Sequence, residues 1–193
     1  MDSVTSGWIY LAFVFVIHAI RLPYQWCSRL NRVVAHRVTT IESALLAGIG
    51  AGMIVIPALS VLTPLLRFAD YVAPRYFSAL GILMIAPTLW LFWLSHRALG
   101  RHWSITLEVH AEQQLVTQGI YARIRHPMYA AAWLWALAQA LLIPNFIGGA
   151  AGLVTFGALY FWRVREEEAL LVSLFGDEYT VYAARTPRLL PRR

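Results

Sequence analysis

The sequence predicts an all-α integral membrane protein with about five transmembrane helices. Hydrophobic residues make up 59% of the 193 residues and charged residues only 13%, whereas ordinary soluble domains have about 45–50% and about 25%. The apolar residues form long runs, and arginines lie in the gaps between these runs. This composition excludes a soluble globule, a disordered chain and, with Cys27 as the only cysteine, a disulfide scaffold.

Five segments are apolar enough to form membrane helices, because a helix needs about 20 apolar residues to cross the hydrocarbon core. These segments are residues 6–22, 41–64, 76–95, 128–143 and 146–162. Arg21 and Pro23 are expected to end the first segment. No basic stretch precedes it, so we interpret it as a retained span and not as a cleaved signal peptide. Only Pro144 and Asn145 separate the last two segments, which predicts an antiparallel helical hairpin.

The distribution of basic residues predicts the orientation of the chain. All 16 basic residues are arginines, and fourteen of them lie in or beside residues 23–40, 96–127 and the tail from residue 163. Only Arg67 and Arg75 lie at the opposite ends of the segments. Because basic residues favour the cytoplasmic side, we expect the N-terminus outside and the C-terminus in the cytoplasm, at the inner membrane if the chain is bacterial. The two long polar segments then meet at the cytoplasmic end of the hairpin.

A first polar cluster immediately precedes the fourth segment. Pro127 suits the first turn of a helix, which places His126 near the N-cap and Tyr129 in the first turn. The unpaired N–H groups of that helix end, together with Arg125 and His126, form a site for a carboxylate or another anion. The alternative is an interfacial belt, since Arg, His and Tyr are common at the headgroup level.

A second polar cluster continues the fifth segment out of the membrane. Arg163 and Glu167 are four residues apart, so they share one helix face. A carboxylate there suits ribose hydroxyls or an amino group, and an arginine suits the carboxylate of a substrate. The alternative is a solvated ion pair at the helix exit. Further along, Gly176 predicts a helix stop and restart, and residues 186–191 an extended closing segment.

Motifs for metal and nucleotide binding are missing from the sequence. His96, His102 and His110 are spaced by six and eight residues, with no carboxylate at ligand spacing. The chain has no GxSxG motif, no phosphate-binding loop and no dinucleotide fingerprint. A nucleic-acid surface would need a polar, basic face with interleaved aromatic residues. We therefore expect neither a metal nor a nucleic-acid partner.

Several motifs occur together in the C-terminal half of the chain. They are Gly119-Ile-Tyr121, Arg125-His-Pro-Met-Tyr129, Arg163, Glu166-Glu-Glu168, Phe175-Gly-Asp-Glu-Tyr179 and Thr186-Pro-Arg-Leu-Leu-Pro191. With the intervening hydrophobic hairpin, they resemble the isoprenylcysteine carboxyl methyltransferase family, which belongs with the phospholipid methyltransferases. The resemblance covers about residues 96–193, and the compact five-span layout looks like the prokaryotic members.

The resemblance implies an S-adenosylmethionine-dependent methyltransferase with a cytoplasmic cofactor pocket. Residues 1–95 would form three N-terminal transmembrane helices, and residues 96–193 the catalytic region. The resemblance assigns Arg163 to the substrate, so Arg163 and Glu167 are the expected catalytic residues, and Arg125 is an added partner for the cofactor carboxylate. The residues assigned to the cofactor are Glu108, Gln113, Gln114, Leu115, Val116, Tyr121, His126, Pro127, Met128, Tyr129 and Glu167.

The expected reaction is methylation of the carboxylate of a lipophilic, isoprenylcysteine-like substrate that enters from the bilayer, with membrane lipids as the other partners. One alternative is N-methylation of phosphatidylethanolamine-type lipids. Another is an NADPH-dependent membrane reductase of the sterol type, which has a similar C-terminal layout. A non-enzymatic membrane scaffold or transporter subunit is a further alternative, but the polar clusters converge on one side of the membrane and form no path across it.

Overall fold

A computed structural model describes residues 2–29, 33–36, 39–100, 108–110 and 114–191, and in these residues the chain is predominantly helical. The described residues form seven α-helices, one π-helical segment, two 3-10 turns and two short strands. The helices are α1 Ser3–Arg29, α2 Thr40–Gly50, α3 Ile56–Leu62, α4 Arg75–Leu99, α5 Pro127–Leu142, α6 Phe146–Phe175 and α7 Asp177–Arg185. The π-helical segment is Ala51–Val55, the 3-10 turns are Arg67–Ala69 and Gly119–Ala122, and the strands are β1 Val33–His36 and β2 Glu108–His110.

The described helices fit an integral membrane protein. Four helical stretches are long and apolar enough to cross a membrane, with α2, the π-helical segment and α3 counted as one: Ser3–Ser28, Thr40–Leu62, Arg75–Leu99 and Phe146–Phe175. The fifth expected span, α5, is apolar but shorter, with 16 residues. The helical hairpin of α5 and α6 is present as predicted. Asn145 caps α6, since its Oδ1 accepts hydrogen bonds from the N–H groups of Ile147 at 3.0 Å and Gly148 at 2.7 Å.

The predicted end of the first helix was wrong, whereas the predicted course of the last membrane helix was right. The first helix does not end at Arg21 and Pro23 but continues to Arg29, with Pro23 inside it. Proline is tolerated within membrane helices because neighbouring groups can satisfy the backbone atoms that it releases. The prediction for α6 is confirmed, because the charged residues that follow residue 162 remain helical up to Phe175 and Gly176 ends the helix.

The sequence predicts a late break of the second membrane span at Pro57 and Pro64, but it does not predict the π-helical turn that precedes Pro57. Between α2 and α3 the chain forms one π-helical turn, in which the N–H of Ile56 bonds to the carbonyl of Ala51. This register leaves the Gly52 carbonyl without its usual donor, and Pro57 has no N–H to offer the Met53 carbonyl. Side chains from other helices satisfy both carbonyls. Gln139 Nε2 lies 2.8 Å from the Gly52 oxygen, and the Tyr10 hydroxyl lies 2.6 Å from the Met53 oxygen.

A buried polar network therefore joins four parts of the bundle. The Tyr10 hydroxyl also lies 2.8 Å from Gln139 Oε1 and accepts a hydrogen bond from Trp135 Nε1 at 3.1 Å. Gln139 Nε2 donates a further hydrogen bond to the Gly148 carbonyl at 2.8 Å. Tyr10 and Gln139 are fully buried, so the network lies inside the apolar core and holds α1, the π-helical turn, α5 and α6 together.

The two short strands pair antiparallel, with Ala35 opposite Val109 and His36 opposite Glu108. The strands follow α1 and α4 in the chain, so their pairing places the polar segments after these two helices at the same end of the bundle. That arrangement agrees with the grouping of arginines in the sequence.

Candidate active site

The start of α5 has the geometry that the sequence predicted. His126 is the N-cap residue and Pro127 occupies the first turn. The segment that follows α7 lies alongside this helix start. The N–H of Arg125 donates to the Pro187 carbonyl at 2.8 Å, and the N–H of His126 donates to the Arg188 carbonyl at 2.9 Å. The two polar segments thus meet at the end of the hairpin, as expected.

Arg125 and His126 at this helix start bind a carboxylate of the chain itself, Glu168. Its Oε1 lies 2.9 Å from Arg125 Nη2 and 3.1 Å from His126 Nε2. Arg188 completes the cluster, with Nε 3.0 Å from Oε1 and Nη2 2.5 Å from Oε2. The sequence predicted an anion site here but did not indicate that Glu168 occupies it. The only available signal was the position of Glu168 in the run of three glutamates.

Arg125 also donates hydrogen bonds to two backbone carbonyls. Its Nη1 donates to the carbonyls of Ala183 and Thr186, both at 2.6 Å. These bonds attach the end of α7 to the start of α5. Glu168 and Arg125 together therefore fix the position of the C-terminal segment against the hairpin.

Glu167 points to a different partner. The Tyr129 hydroxyl donates a short hydrogen bond to Glu167 Oε2. The Tyr129 ring stacks on His126 at 5.3 Å between ring centroids and meets Tyr160 edge-on at 5.7 Å. Glu167 is therefore held by an aromatic group of α5, one turn along α6 from Arg163.

Arg163 pairs with a residue that the sequence analysis missed. Its Nη1 lies 3.0 Å from Oε1 of Glu42, which is fully buried in the first turn of α2. The alternative of an ion pair between Arg163 and Glu167 is thus replaced by an ion pair between two helices. A sequence signal did exist, since Thr39 and Glu42 have the spacing of a helix capping box at the start of an apolar run.

A cavity of about 210 Å³ connects these groups. Its polar lining comes from Arg21, His96, Tyr121, Arg125, His126, Tyr129, Arg163 and Glu167. Its apolar lining comes from Leu46, Ile49, Met53, Phe92, Leu99, Met128, Ala132, Trp135, Phe156 and Leu159. The wall thus includes residues of both halves of the chain, and it combines charged groups with a large apolar surface.

Tyr121 enters this cavity from the 3-10 turn before α5. Gly119, with φ of 63°, begins the turn in a backbone conformation that favours glycine. The Tyr182 hydroxyl donates to the Tyr121 carbonyl at 2.7 Å. Burial raises the pKa of Tyr182 to about 12, so its hydroxyl remains a neutral donor at physiological pH. Burial likewise raises the pKa of Tyr121 well above its ordinary value.

The structure brings together part of the predicted set of site residues. Tyr121, Arg125, His126, Met128, Tyr129, Arg163 and Glu167 line the cavity. Pro127 is buried beside them, whereas Gln114, Leu115 and Val116 are described but do not line it. Glu108 lies in β2, and Gln113 lies outside the described residues. Within the described ranges, no group of three His, Cys, Asp or Glu side chains could hold a metal ion.

Comparison with known proteins gives a consistent result. The family model described as the isoprenylcysteine carboxyl methyltransferase (ICMT) family matches residues 79–173. The chain is 31% identical over 131 residues to the protein-S-isoprenylcysteine O-methyltransferase of Schizosaccharomyces pombe, which covers 65% of this chain and 56% of that protein. It is 38% identical over 77 residues to the human protein of the same name, which covers 40% of this chain and 27% of the human protein. The chain thus spans less than two thirds of the length of either relative.

A plant relative matches over almost the whole chain. The probable protein-S-isoprenylcysteine O-methyltransferase of Oryza sativa subsp. indica is 24% identical over 193 residues, which covers 99% of this chain and 98% of that protein. The family model includes the start of α5, the hairpin and the glutamate run of α6. These matches and the arrangement of the motif residues around one cavity show that the chain is similar to the isoprenylcysteine carboxyl methyltransferase family.

Proposed function

We propose that the chain is an S-adenosylmethionine-dependent methyltransferase that esterifies the carboxylate of a lipophilic, isoprenylcysteine-like substrate. One observation carries the proposal: in a chain similar to this family, a single cavity is lined by a carboxylate, Glu167, by an arginine, Arg163, and by a large apolar surface. Glu167 can bind the cofactor, and Arg163 can bind the acceptor carboxylate. The apolar surface can bind the lipid chain.

The donor set of the cavity fits the cofactor. Glu167 offers carboxylate oxygens to hydroxyl or ammonium groups, and the aromatic residues Tyr129, Trp135 and Phe156 offer flat surfaces to an adenine ring. Arg125 and His126 would face the cofactor carboxylate, beside Glu168, which already pairs with both side chains. When bound, the cofactor would supply an electrophilic methyl group whose C–S bonding electrons stay on sulfur as the new C–O bond forms.

The acceptor needs alignment more than activation. A carboxylate is ionised at neutral pH and attacks without giving up a proton, so no general base is required. Arg163 would bind the carboxylate and orient one oxygen toward the methyl group. The apolar residues Leu46, Ile49 and Phe92, which come from the first half of the chain, would contact the lipid part.

The remaining assignments follow from this arrangement. Residues 96–193 would supply most cofactor contacts, and residues 1–95 would supply the apolar wall on the acceptor side. The cavity end of the hairpin would face the cytoplasm, with the N-terminus outside, at the inner membrane if the chain is bacterial. The acceptor would enter laterally from the bilayer. The names of the matched relatives refer to O-methylation, so neither the N-methyltransferase nor the reductase alternative is favoured.

The decisive experiment is a methyl-transfer assay with the purified protein in detergent. It uses radiolabelled S-adenosylmethionine, a farnesylated cysteine analogue and, separately, a phosphatidylethanolamine extract. We expect base-labile label on the farnesylated cysteine, as an ester requires. Base-stable label on the phospholipid, or no transfer to either acceptor, would contradict the proposal.

Calorimetry tests the cofactor part separately. We expect Glu167→Ala to abolish S-adenosylmethionine binding while the protein remains folded, because the variant removes the carboxylate that the cavity offers to the cofactor. Glu166→Gln is the matched control, since Glu166 is the exposed neighbour on the same helix. Equal affinity in wild type and Glu167→Ala would refute the assignment of Glu167.

A further inference from the structure

Glu42 is held firmly although it is a carboxylate buried in an apolar bundle. It is 0% exposed and lies in the first turn of α2. Its backbone N–H donates to Thr39 Oγ1 at 3.1 Å, and its Oε1 lies 3.0 Å from Arg163 Nη1. The position of a carboxylate near a helix N-terminus is electrostatically favourable. Glu42 is thus fixed by its own helix and connected to α6 through Arg163.

Glu42 lies behind Arg163 as seen from the cavity. Arg163 lines the cavity, whereas Glu42 does not contribute to its wall. A guanidinium group has five N–H donors in a fixed plane, and the ion pair with Glu42 engages Nη1. Further donors therefore remain for a ligand that approaches from the cavity. An ion pair at one end of the group restrains its plane and leaves the rest of the group able to bind.

Arg21 makes this restraint important. It lines the same cavity from α1, and its charge repels that of Arg163. This repulsion opposes the placement of Arg163 in the cavity wall, and the ion pair with Glu42 counteracts it. A buried ion pair also rarely maximises the stability of a protein, because apolar residues of similar volume in its place often give equal or greater stability. The pair of Glu42 and Arg163 is thus better explained by the orientation of Arg163 than by stability.

We propose that Glu42 is a positioning residue for methyl transfer, which holds Arg163 in the orientation that aligns the acceptor carboxylate. This inference rests on the proposed function. Glu42 has two effects that act in opposite directions. It restrains Arg163, which favours turnover, and its negative charge weakens the attraction of the cavity for an anionic acceptor.

The substitution Glu42→Gln separates the two effects, because glutamine keeps the shape and removes the charge. We expect kcat to fall by about tenfold or more, since alignment of the acceptor is lost, while KM for the farnesylated cysteine acceptor stays equal or falls. Calorimetry should show that the acceptor binds the cofactor-free variant at least as tightly as wild type. The affinity for S-adenosylmethionine should be unchanged. Glu178→Gln, on the exposed face of α7, is the control and should behave as wild type.

Two results would overturn the role of Glu42. One is an unchanged kcat in a folded Glu42→Gln protein. The other is a parallel loss of kcat, acceptor affinity, cofactor affinity and unfolding temperature, which a purely structural role would produce. If Glu42→Gln does not fold, Glu42→Asp retains the charge but withdraws it by one methylene, and a wild-type kcat in that variant would also overturn the role. Failure of the wild-type protein to methylate the acceptor would instead refute the proposed function.

Discussion

The substitution Gln139→Leu removes the central residue of the buried polar network at similar volume. Gln139 takes part in three side-chain hydrogen bonds, with the Tyr10 hydroxyl and with the carbonyls of Gly52 and Gly148, each at 2.8 Å. Hydrogen bonds between membrane helices are worth about 0.6 kcal/mol on average and about 1.7 kcal/mol at most. Three such bonds give about 2 kcal/mol, and the buried carbonyls left without a donor raise the expected loss toward about 4 kcal/mol.

Unfolding in mixed micelles with increasing SDS would measure this loss as a free energy. Gln118→Leu is the matched control, because Gln118 is exposed and makes no capping hydrogen bond. Tyr10→Phe removes one partner, and the double variant with Gln139→Leu measures the coupling between the two residues. A loss below about 0.5 kcal/mol for Gln139→Leu would refute the reasoning, because it would mean that the π-helical carbonyls find other donors.

Two further predictions concern α6. Glu168→Gln should destabilise the protein by about 2 to 4 kcal/mol, because its cationic partners stay partly buried without compensation, and trypsin should cleave the C-terminal segment faster. The exposed Glu166→Gln is the control, and equal unfolding temperatures for the two variants would contradict the prediction. Gly152→Ala should destabilise the protein by about 1 to 3 kcal/mol, because the added Cβ would overlap the Gln139 side-chain oxygen. At Gly157 the nearest atom, in Trp133, is 3.5 Å away, so Gly157→Ala should be nearly neutral; similar losses at both positions would exclude this explanation.

Features with local signals were predictable from the sequence. Pro127 marks the start of α5, and the short link at Pro144 and Asn145 marks the hairpin, because each signal acts within one helical turn. The stop at Gly176 was predictable for the same reason, and the structure gives this residue a φ of 53°. The grouping of arginines, a property of whole loops, indicated correctly which polar segments meet.

Features that depend on partners distant in sequence were not predictable. The capping-box spacing marks Glu42 at the start of α2, but a single sequence contains no signal that Glu42 pairs with Arg163, because the two helices are far apart in the chain. Pro23 and Pro57 were interpreted by their local effect on a helix, but the bundle supplies groups that compensate for it. In the glutamate run, periodicity predicted that Glu167 and Arg163 face one cavity but could not show that Glu168 binds Arg125 and His126.

The π-helical turn also has a consequence for how the second membrane span tolerates change. Such a turn corresponds to one inserted residue, and one residue rotates an α-helix by about 100°. The half with Leu46 and Ile49 can therefore face the cavity while the half with Ser60 meets α6 at Gly148. A deletion of one residue within Ala51–Val55 would restore a regular helix but turn one half away from its partners. The number of residues in this span is therefore fixed, although its hydrophobicity alone would allow many lengths.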